Sequence, residues 1–533
     1  MSGTINFPDG YEFRSGNLYH GDTHIANFFI RPTALYRRQG EAFPFACDME
    51  ICKASGSKTL THIRLDDLTN NWWKNPLPGC FYVPERKNAY RAVRFIFQAL
   101  MDYAPAREVV EVSEIGWKKL PSDQMVYIAG GDIIAGNNDF PSEDIWISEN
   151  IRNLHIEIEP ETSVGEALRF FWEFFFFMPG ITDILLTYTL LSFLSPLFQE
   201  AGLISRFPVI LEGKTESKKT TLACLACSTF MRKSNPRYCV AAVSSTRAAV
   251  ELRARGMQHC VLIVDDLFPD SNSPRRDKTS RLLHEFANQD AREIKSGHSL
   301  VRNKMDCGIV LTAEYFPPCS DSTRRRCLRL KLFNPVPNER LYPIQKRQSL
   351  LGNVFLEFLQ RIAAHYSEIV CMITEDFQRY RIRRAEKNAS AVVSERLGEI
   401  GFLLSETLNI ALKMFPREDS ETVLMGFHGR INNWLDWQLS SAAVPDISNV
   451  VSSIPELQKQ YPDRIFLHHG CLCVTPDDLC DIIQQQLGDK TITKTSVLRV
   501  LQDKDALQKD RSNVATKKIA GRRYLFIRPQ KLR

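Results

Sequence analysis

The 533-residue sequence lacks an uninterrupted apolar run that could cross a membrane. Its most apolar stretch, Phe170 to Phe198, contains Phe174-Phe-Phe-Phe-Met178. Glu173, the Pro179-Gly180 pair and Asp183 break it into two pieces, each short of the roughly 20 apolar residues of a spanning helix. Two buried helices and no membrane partner are expected. Regular cysteine spacing is missing too: the fourteen cysteines form no disulfide framework, and Cys224, Cys227 and Cys260 fall in segments that read as buried helix or strand. A reducing, cytoplasmic setting is the expectation. The first ten residues, Met1 to Gly10, have neither a basic region nor an apolar core, so secretion is not expected. There is no internal repeat and no low-complexity tract.

What is present is ordinary globular composition: 44% hydrophobic and 24% charged residues exclude a disordered, collagenous or coiled-coil chain. At roughly 150 residues per domain, the length predicts three or four domains. The net charge of +6 is unevenly spread. From Lys490 to Arg533 there are thirteen Lys/Arg against three Asp, a local +10, which leaves −4 on the rest of the chain. A basic end on a mildly acidic body points to a module that meets a polyanion.

Residues 1–159 read as a β-rich domain. Short apolar runs (His24 to Ile30, Phe43 to Cys47, Thr61 to Leu65) alternate with turn residues and predict an antiparallel sheet, followed by a helix from Tyr90 to Tyr103. Gly116-Trp-Lys-Lys119 and Gln124 to Gly131 predict a further strand pair. Residues 160–345 alternate helices with short apolar strands at Phe207 to Leu211, Tyr238 to Val243, Cys260 to Val264, Gly308 to Thr312 and Cys327 to Leu332. This is the pattern of an α/β domain with a mostly parallel five-stranded sheet. Residues 346–445 read as helical. Residues 446–533 end in a helix (Thr475 to Leu487), a second helix (Thr493 to Leu507) and a basic hairpin (Asn513 to Arg528), the order of a winged helix.

The chemistry concentrates at Val209-Ile-Leu-Glu-Gly213, which is followed by Lys214, Thr215, Glu216, Ser217, Lys218, Lys219, Thr220 and Thr221. A P-loop needs backbone N–H groups curled at a helix N-terminus around phosphates, a lysine for the β and γ phosphates, and a hydroxyl for Mg²⁺. Gly213, Lys219 and Thr220 have that spacing, which makes ATP and Mg²⁺ the expected cofactors. The usual second glycine is absent, and Lys218 stands in its place. The plain alternative is a surface loop with a chance Gly to Lys-Thr spacing.

The next acidic strand, Cys260 to Val264, ends in Asp265-Asp266. If it lies beside the P-loop, Asp265 can hold the Mg²⁺ shell with Thr220, and Asp266 can polarise the attacking water. Thr312-Ala-Glu314 places polar groups, Thr312 and Glu314, that can orient that water. Arg324, Arg325 and Arg326 precede the fifth strand. Arginine suits the charge on a transferring phosphate, supplied from an adjacent subunit, although a solvated basic edge explains the triplet equally.

On these residues the chain resembles the bacterial P-loop ATPases carried by phages, plasmids and cassette elements, a family long catalogued as a domain of unknown function and related to AAA+ replicative helicases of the MCM type. The resemblance spans Glu114 to Arg326. It rests on Gly116-Trp-Lys-Lys119 and its strand pair, the two apolar helices, Gly213 to Thr221, Val264-Asp-Asp266 and Thr312-Ala-Glu314. MCM-like P-loops also lack the second glycine. The usual Asp-Glu pair reads Asp265-Asp266 here, which shortens the base by one methylene. The resemblance implies an AAA+ (ASCE-like) core, a ring that is a hexamer, and a pore hairpin between Ser280 and Asn303. Lys295, His298 and Arg302 would face single-stranded DNA there, with an ordinary exposed turn as the alternative.

In the winged helix, Lys494 and Arg499 would enter the major groove of duplex DNA, and Lys517, Lys518, Arg522 and Arg523 would touch phosphates. A docking role with solvated lysines is the alternative. His468-His469-Gly-Cys471-Leu-Cys473 and Cys480 lack paired knuckles, so zinc is not expected. Together these features predict an ATP-driven DNA helicase or translocase that replicates a mobile genetic element. The second reading is a DNA-binding initiator or scaffold whose P-loop binds nucleotide but hydrolyses it weakly, and a signalling NTPase is a third.

Overall fold

The computed structural model describes residues 10–38, 44–53, 58–64, 107–120, 123–136, 145–205, 207–231, 239–242, 247–267, 286, 293–296, 299–302, 306–314, 321–387, 395–441, 447–487, 492–503, 505–508 and 516–532. They fall into two compact units, Met1–His155 and Ile156–Arg533.

The first unit is built of sheets. Its largest has five strands in the order Ile145–Ile147, Arg107–Val112, Phe28–Arg38, Ala46–Lys53, Lys58–Arg64. The antiparallel expectation holds for the last three strands. It fails for Arg107–Val112, which runs parallel to both neighbours. A parallel return needs a crossover rather than a hairpin, and residues 65–106 are long enough to supply one. The helix expected at Tyr90 to Tyr103 lies outside the described residues. Gly116–Lys119 and Met125–Ala129 form the further strand pair expected there, and they run antiparallel.

The second unit is organised around a sheet of five strands: β1 (Pro208–Gly213), β2 (Val240–Ala242), β3 (Val261–Leu267), β4 (Gly308–Ala313) and β5 (Leu328–Leu332). They lie in the order β2-β3-β4-β1-β5, and every pairing is parallel. The strands are near-continuous apolar runs because both faces are covered. Of the helices α1 (Val164–Phe175), α2 (Thr182–Glu200), α3 (Lys219–Cys227) and α4 (Arg247–Gly256), α2 packs on β4, α3 packs on β1, β3 and β4, α1 packs on α2, and Arg253 of α4 donates to the Val240 carbonyl of β2.

α1 starts on a side-chain N-cap: the Ser163 hydroxyl oxygen accepts from the Glu166 N–H, three residues on. α2 is buried on nearly all sides, which explains an apolar sequence without a membrane. Among the described residues no helix is long and apolar enough to span one. The Tyr188 hydroxyl donates to the Phe207 carbonyl and accepts from the Ile309 N–H, tying α2 to the starts of β1 and β4. Gly308 allows that approach, since a Cβ there would lie 2.2 Å from Ser192 Oγ.

The Pro179-Gly180 break is a corner between α1 and α2. Asp183, fully buried, accepts from the Gly180 and Ile184 N–H groups. Five further helices follow: α5 (Asn338–Gln345), α6 (Ser349–Ala364), α7 (Tyr366–Lys387), α8 (Glu395–Met414) and α9 (Ser420–Ser441). α6 packs on α1, α7 and α8 pack on α2, and α9 packs on the edge strand β5. α9 also returns to the corner: Arg430 Nε donates to Asp183 Oδ2 at 2.6 Å, and Trp434 Nε1 donates to the Gly180 carbonyl at 2.7 Å. Burial raises the Asp183 carboxyl, and Arg430 and the two N–H groups pull it back part of the way.

Between α7 and α8, Glu406 is buried against Asp376. Burial first and Asp376 second push its carboxyl up to about 7, while Asn409 and Lys413 lower it. A carboxyl that holds its proton more tightly when folded weakens the fold as pH rises from the unfolded value of 4.5 toward 7. Glu406→Gln is therefore expected to raise the melting temperature at pH 8 and to leave it unchanged near pH 4. Thermal melts at both pH values check this, and an equal shift at both would contradict it.

The chain ends with α10 (Ile447–Ser452), α11 (Ile454–Gln460), the strands β6 (Phe466–His468) and β7 (Cys471–Val474), α12 (Pro476–Leu487), α13 (Lys494–Asp503) and the hairpin β8 (Thr516–Ile519) and β9 (Arg522–Ile527). The four strands form an antiparallel sheet in the order β6-β7-β9-β8. Alternation along β7 sends Leu472 and Val474 into a core with α12 and α13, and Cys471 and Cys473 to the other face with Phe526. Both turn residues of the hairpin, Ala520 and Gly521, have positive φ, as a tight two-residue connection requires.

Candidate functional site

The candidate residues gather at the carboxyl ends of β1, β3 and β4, where open parallel sheets bind ligands. β1 ends at Gly213, the loop Lys214–Lys218 follows, and α3 begins at Lys219. Glu216 and Lys218 hold φ of 65° and 70°. Lys218 thus occupies, with a Cβ, the left-handed conformation for which a second glycine is suited. Lys218→Gly is expected to stabilise the fold by about 1 kcal/mol, read as an upward shift in the denaturation midpoint; a downward shift would mean that the Lys218 side chain contributes more than its backbone costs.

Gly213 is required by packing: a Cβ there would meet Ser217 Oγ at 2.6 Å and Leu332 Cβ at 3.2 Å. Ser217 is buried beneath the loop, and its carbonyl accepts from Val336 N–H. Lys214, Thr215 and Glu216 are exposed, and Thr221 is half-buried on the first turn of α3. The Lys219 ammonium turns back to the Lys214 carbonyl at 3.4 Å.

The acidic strand is not beside β1 as expected; β4 lies between them. The site closes across that intervening strand. Thr220 Oγ1 donates to Asp265 Oδ1 at 2.6 Å, and Thr312 Oγ1, on β4, donates to the same oxygen at 2.6 Å. Val264 pairs with Leu311 but Leu267 pairs with Ala313, so β3 carries one extra residue where Asp265 and Asp266 stand. Such a bulge re-aims side chains at the end of a strand. The Asp266 side chain lies outside the described atoms. Glu314, one residue past β4, accepts from the Thr215 hydroxyl of the loop. The fold therefore joins Thr215, Thr220, Asp265, Thr312 and Glu314 from three strands' ends.

It does not bring the arginines to this place. β5 pairs with β1 from Val209↔Leu328 to Gly213↔Leu332, so Arg324, Arg325 and Arg326 sit at the amino end of β5. Five residues of strand put them about 15 Å from the loop of their own chain. Arg325 is exposed, and Arg324 and Arg326 are half-buried.

Residues that the sequence reading passed over frame the loop. Glu212, immediately before Gly213 and buried, receives a bidentate bond from Arg329 of β5, at 2.7 and 3.2 Å. The signal for it was a lone acidic residue in an apolar strand, which burial makes untenable without a cation.

The basic candidates are spread over other elements. Glu293–Ser296 and Ser299–Arg302 form an antiparallel hairpin in which Lys295 pairs with Leu300 and Glu293 with Arg302. His298 and the side chains of Lys295 and Arg302 lie outside the described atoms. On β8 and β9, Lys518, Arg522 and Arg523 are exposed, and Lys517 lies over the Phe526 ring at 4.9 Å. Lys494, exposed at the start of α13, pairs with Asp477 of α12. The Arg499 side chain lies outside the described atoms.

No protein-family model and no curated protein matches the sequence. Among solved structures, the chain is similar to the SCCmec type IV Cch active helicase, with a TM-score of 0.55 and 13% identity over 99% of this chain and 100% of that one. The JCV helicase matches 45% of this chain and 72% of its own with 12% identity, but its TM-score of 0.20 carries no weight. At that identity the Cch comparison establishes the fold alone, and in this chain that fold has an α/β core whose parallel five-stranded sheet presents the loop Gly213 to Thr220.

Proposed function

We propose that this protein is an ATP-driven DNA helicase or translocase of a mobile genetic element, related to MCM-type AAA+ enzymes and acting as a hexameric ring in the cytoplasm. The observation that carries the reading is the convergence of Thr220, Asp265 and Thr312 on one carboxylate oxygen beside the N-terminus of α3. The fold shared with the Cch helicase supports it.

The N-terminus of α3 and the loop N–H groups would hold the phosphates, and Lys219 would leave the Lys214 carbonyl for the β and γ oxygens. A hydroxyl and a carboxylate 2.6 Å apart are the hard oxygen donors that Mg²⁺ takes, so Thr220 and Asp265 fit that ion. When bound, it would neutralise charge on the phosphates. Asp266 would accept a proton from the attacking water, and Thr312 and Glu314 would orient it, Glu314 releasing Thr215 to do so. Arg324 to Arg326 are too far from their own loop, so a neighbouring subunit would receive them.

The terminal module would act as a winged helix, with α13 toward the major groove of duplex DNA and the β8–β9 hairpin on phosphates. The hairpin at Glu293–Arg302 would track single-stranded DNA in a ring's pore. ATP turnover with and without forked DNA tests the enzyme reading: stimulation is expected, and no turnover on any DNA would leave a nucleotide-binding initiator or scaffold. Replacing Lys517, Lys518, Arg522 and Arg523 by Ala should lower duplex affinity and flatten its log–log salt slope by about 3–4, with ATP binding unchanged. An unchanged slope would move the main DNA contact to the pore hairpin.

A further inference from the structure

α9 does more than cover the edge of the sheet. Gln438 is 1% exposed, and its amide engages two backbone groups at the start of β5: the Arg329 N–H donates to Oε1 at 3.0 Å, and Nε2 donates at 2.8 Å to the carbonyl of Cys327, the residue before the strand. The carbonyl of residue i−1 and the N–H of residue i+1 are what one residue of a parallel neighbour would bond. The side chain of Gln438 therefore stands where a sixth strand would, and satisfies groups that an uncovered edge leaves open.

Its second amide hydrogen goes elsewhere. Gln438 Nε2 also donates, at 3.1 Å, to the carbonyl of Arg324, the first residue of the arginine triplet. The next residue along the helix towards its start, Trp437, lies under the Arg329 guanidinium at 4.9 Å, and that guanidinium holds Glu212 at the end of the P-loop strand. One turn of α9 thus grips the backbone on which Arg324 to Arg326 are mounted, and through Arg329 it reaches the residue before Gly213. A side chain with two donors and one acceptor is needed for this set, which among uncharged residues only an amide provides.

We propose that Gln438 is a positioning residue: it fixes the backbone of the Arg324–Arg326 segment so that these arginines reach the nucleotide held by a neighbouring copy of the chain. The inference rests on the reading that the triplet acts in trans. Its consequence is a separation of effects, because the triplet is remote from the loop of its own chain and the Arg329–Glu212 pair beside that loop keeps its own side-chain bonds when Gln438 is lost. Loss of Gln438 should impair hydrolysis at the neighbour's site and leave nucleotide binding intact.

The test uses the full chain, below the melting temperature of each variant, with ATP and DNA. Gln438→Ala is expected to lower kcat about tenfold or more, with KM and ATP affinity within about twofold of wild type. Mixing Gln438→Ala with Lys219→Ala should restore turnover above either alone, since one variant keeps the loop and the other keeps the mounted arginines. Gln438→Asn, an amide one methylene short, carries the same test if Gln438→Ala does not fold. A lowered melting temperature with unchanged kcat, or no gain on mixing, would overturn the proposal. The triple variant Arg324→Ala, Arg325→Ala, Arg326→Ala separates the two readings. If it loses turnover while Gln438→Ala keeps it, only the role of Gln438 fails; if it keeps turnover, the trans arginine reading fails with it.

Discussion

Lys219→Ala should abolish DNA-stimulated ATP hydrolysis, lowering kcat by at least about a hundredfold. Lys219 is the first residue of α3, and its ammonium sits at the mouth of the loop on the Lys214 carbonyl. That bond is weak at 3.4 Å, so the lysine can exchange a neutral carbonyl for phosphate oxygens at little cost. Removing it deletes a charge that is worth more as the phosphate separates than when it is merely bound. The defect should therefore be larger in kcat than in ATP affinity. Steady-state kinetics with equilibrium binding of ATP measures both. A variant that hydrolyses at the wild-type rate would place the chemistry elsewhere.

The second large effect is on stability. Arg329→Ala should destabilise the second unit by about 3–5 kcal/mol, because it leaves the Glu212 carboxylate, 4% exposed, without its cation. The loss is read from urea denaturation. Replacing both partners by apolar residues, Glu212→Leu with Arg329→Met, should recover most of it, since a buried pair is costly to break yet dispensable when both charges leave. A double variant as unstable as Arg329→Ala would show that the ion pair itself, rather than the orphaned charge, sustains the fold. Trp437 loses its cation contact in both variants, so that contribution cancels in the comparison.

The alternation of apolar runs with helical segments made the five core strands legible in the sequence to within three residues at each end, because parallel strands buried on both faces have few other ways to read. The spacing from Gly213 to Thr220 likewise marked the strand–loop–helix joint. Strand order was not legible: nothing in the run Cys260 to Val264 says that β4 will separate it from β1. The contact of Asp265 with Thr220 is fixed by the bulge at Asp265 and Asp266, which a period-2 pattern cannot reveal. The antiparallel reading of the first sheet failed at Arg107–Val112 for the same reason, since parallel and antiparallel strands share one alternation. Hidden most deeply was the set Glu212, Arg329 and Gln438. It joins residues more than a hundred positions apart, and each reads alone as an ordinary polar residue.

Strand displacement on forked DNA, followed with ATP and with the Lys219→Ala protein as control, tests the proposed activity most directly. The expected result is ATP-dependent displacement by the wild-type chain and none by the variant. Wild-type protein that binds ATP and DNA but neither turns over nucleotide nor separates strands would contradict it, and would identify the chain as a nucleotide-binding initiator or scaffold.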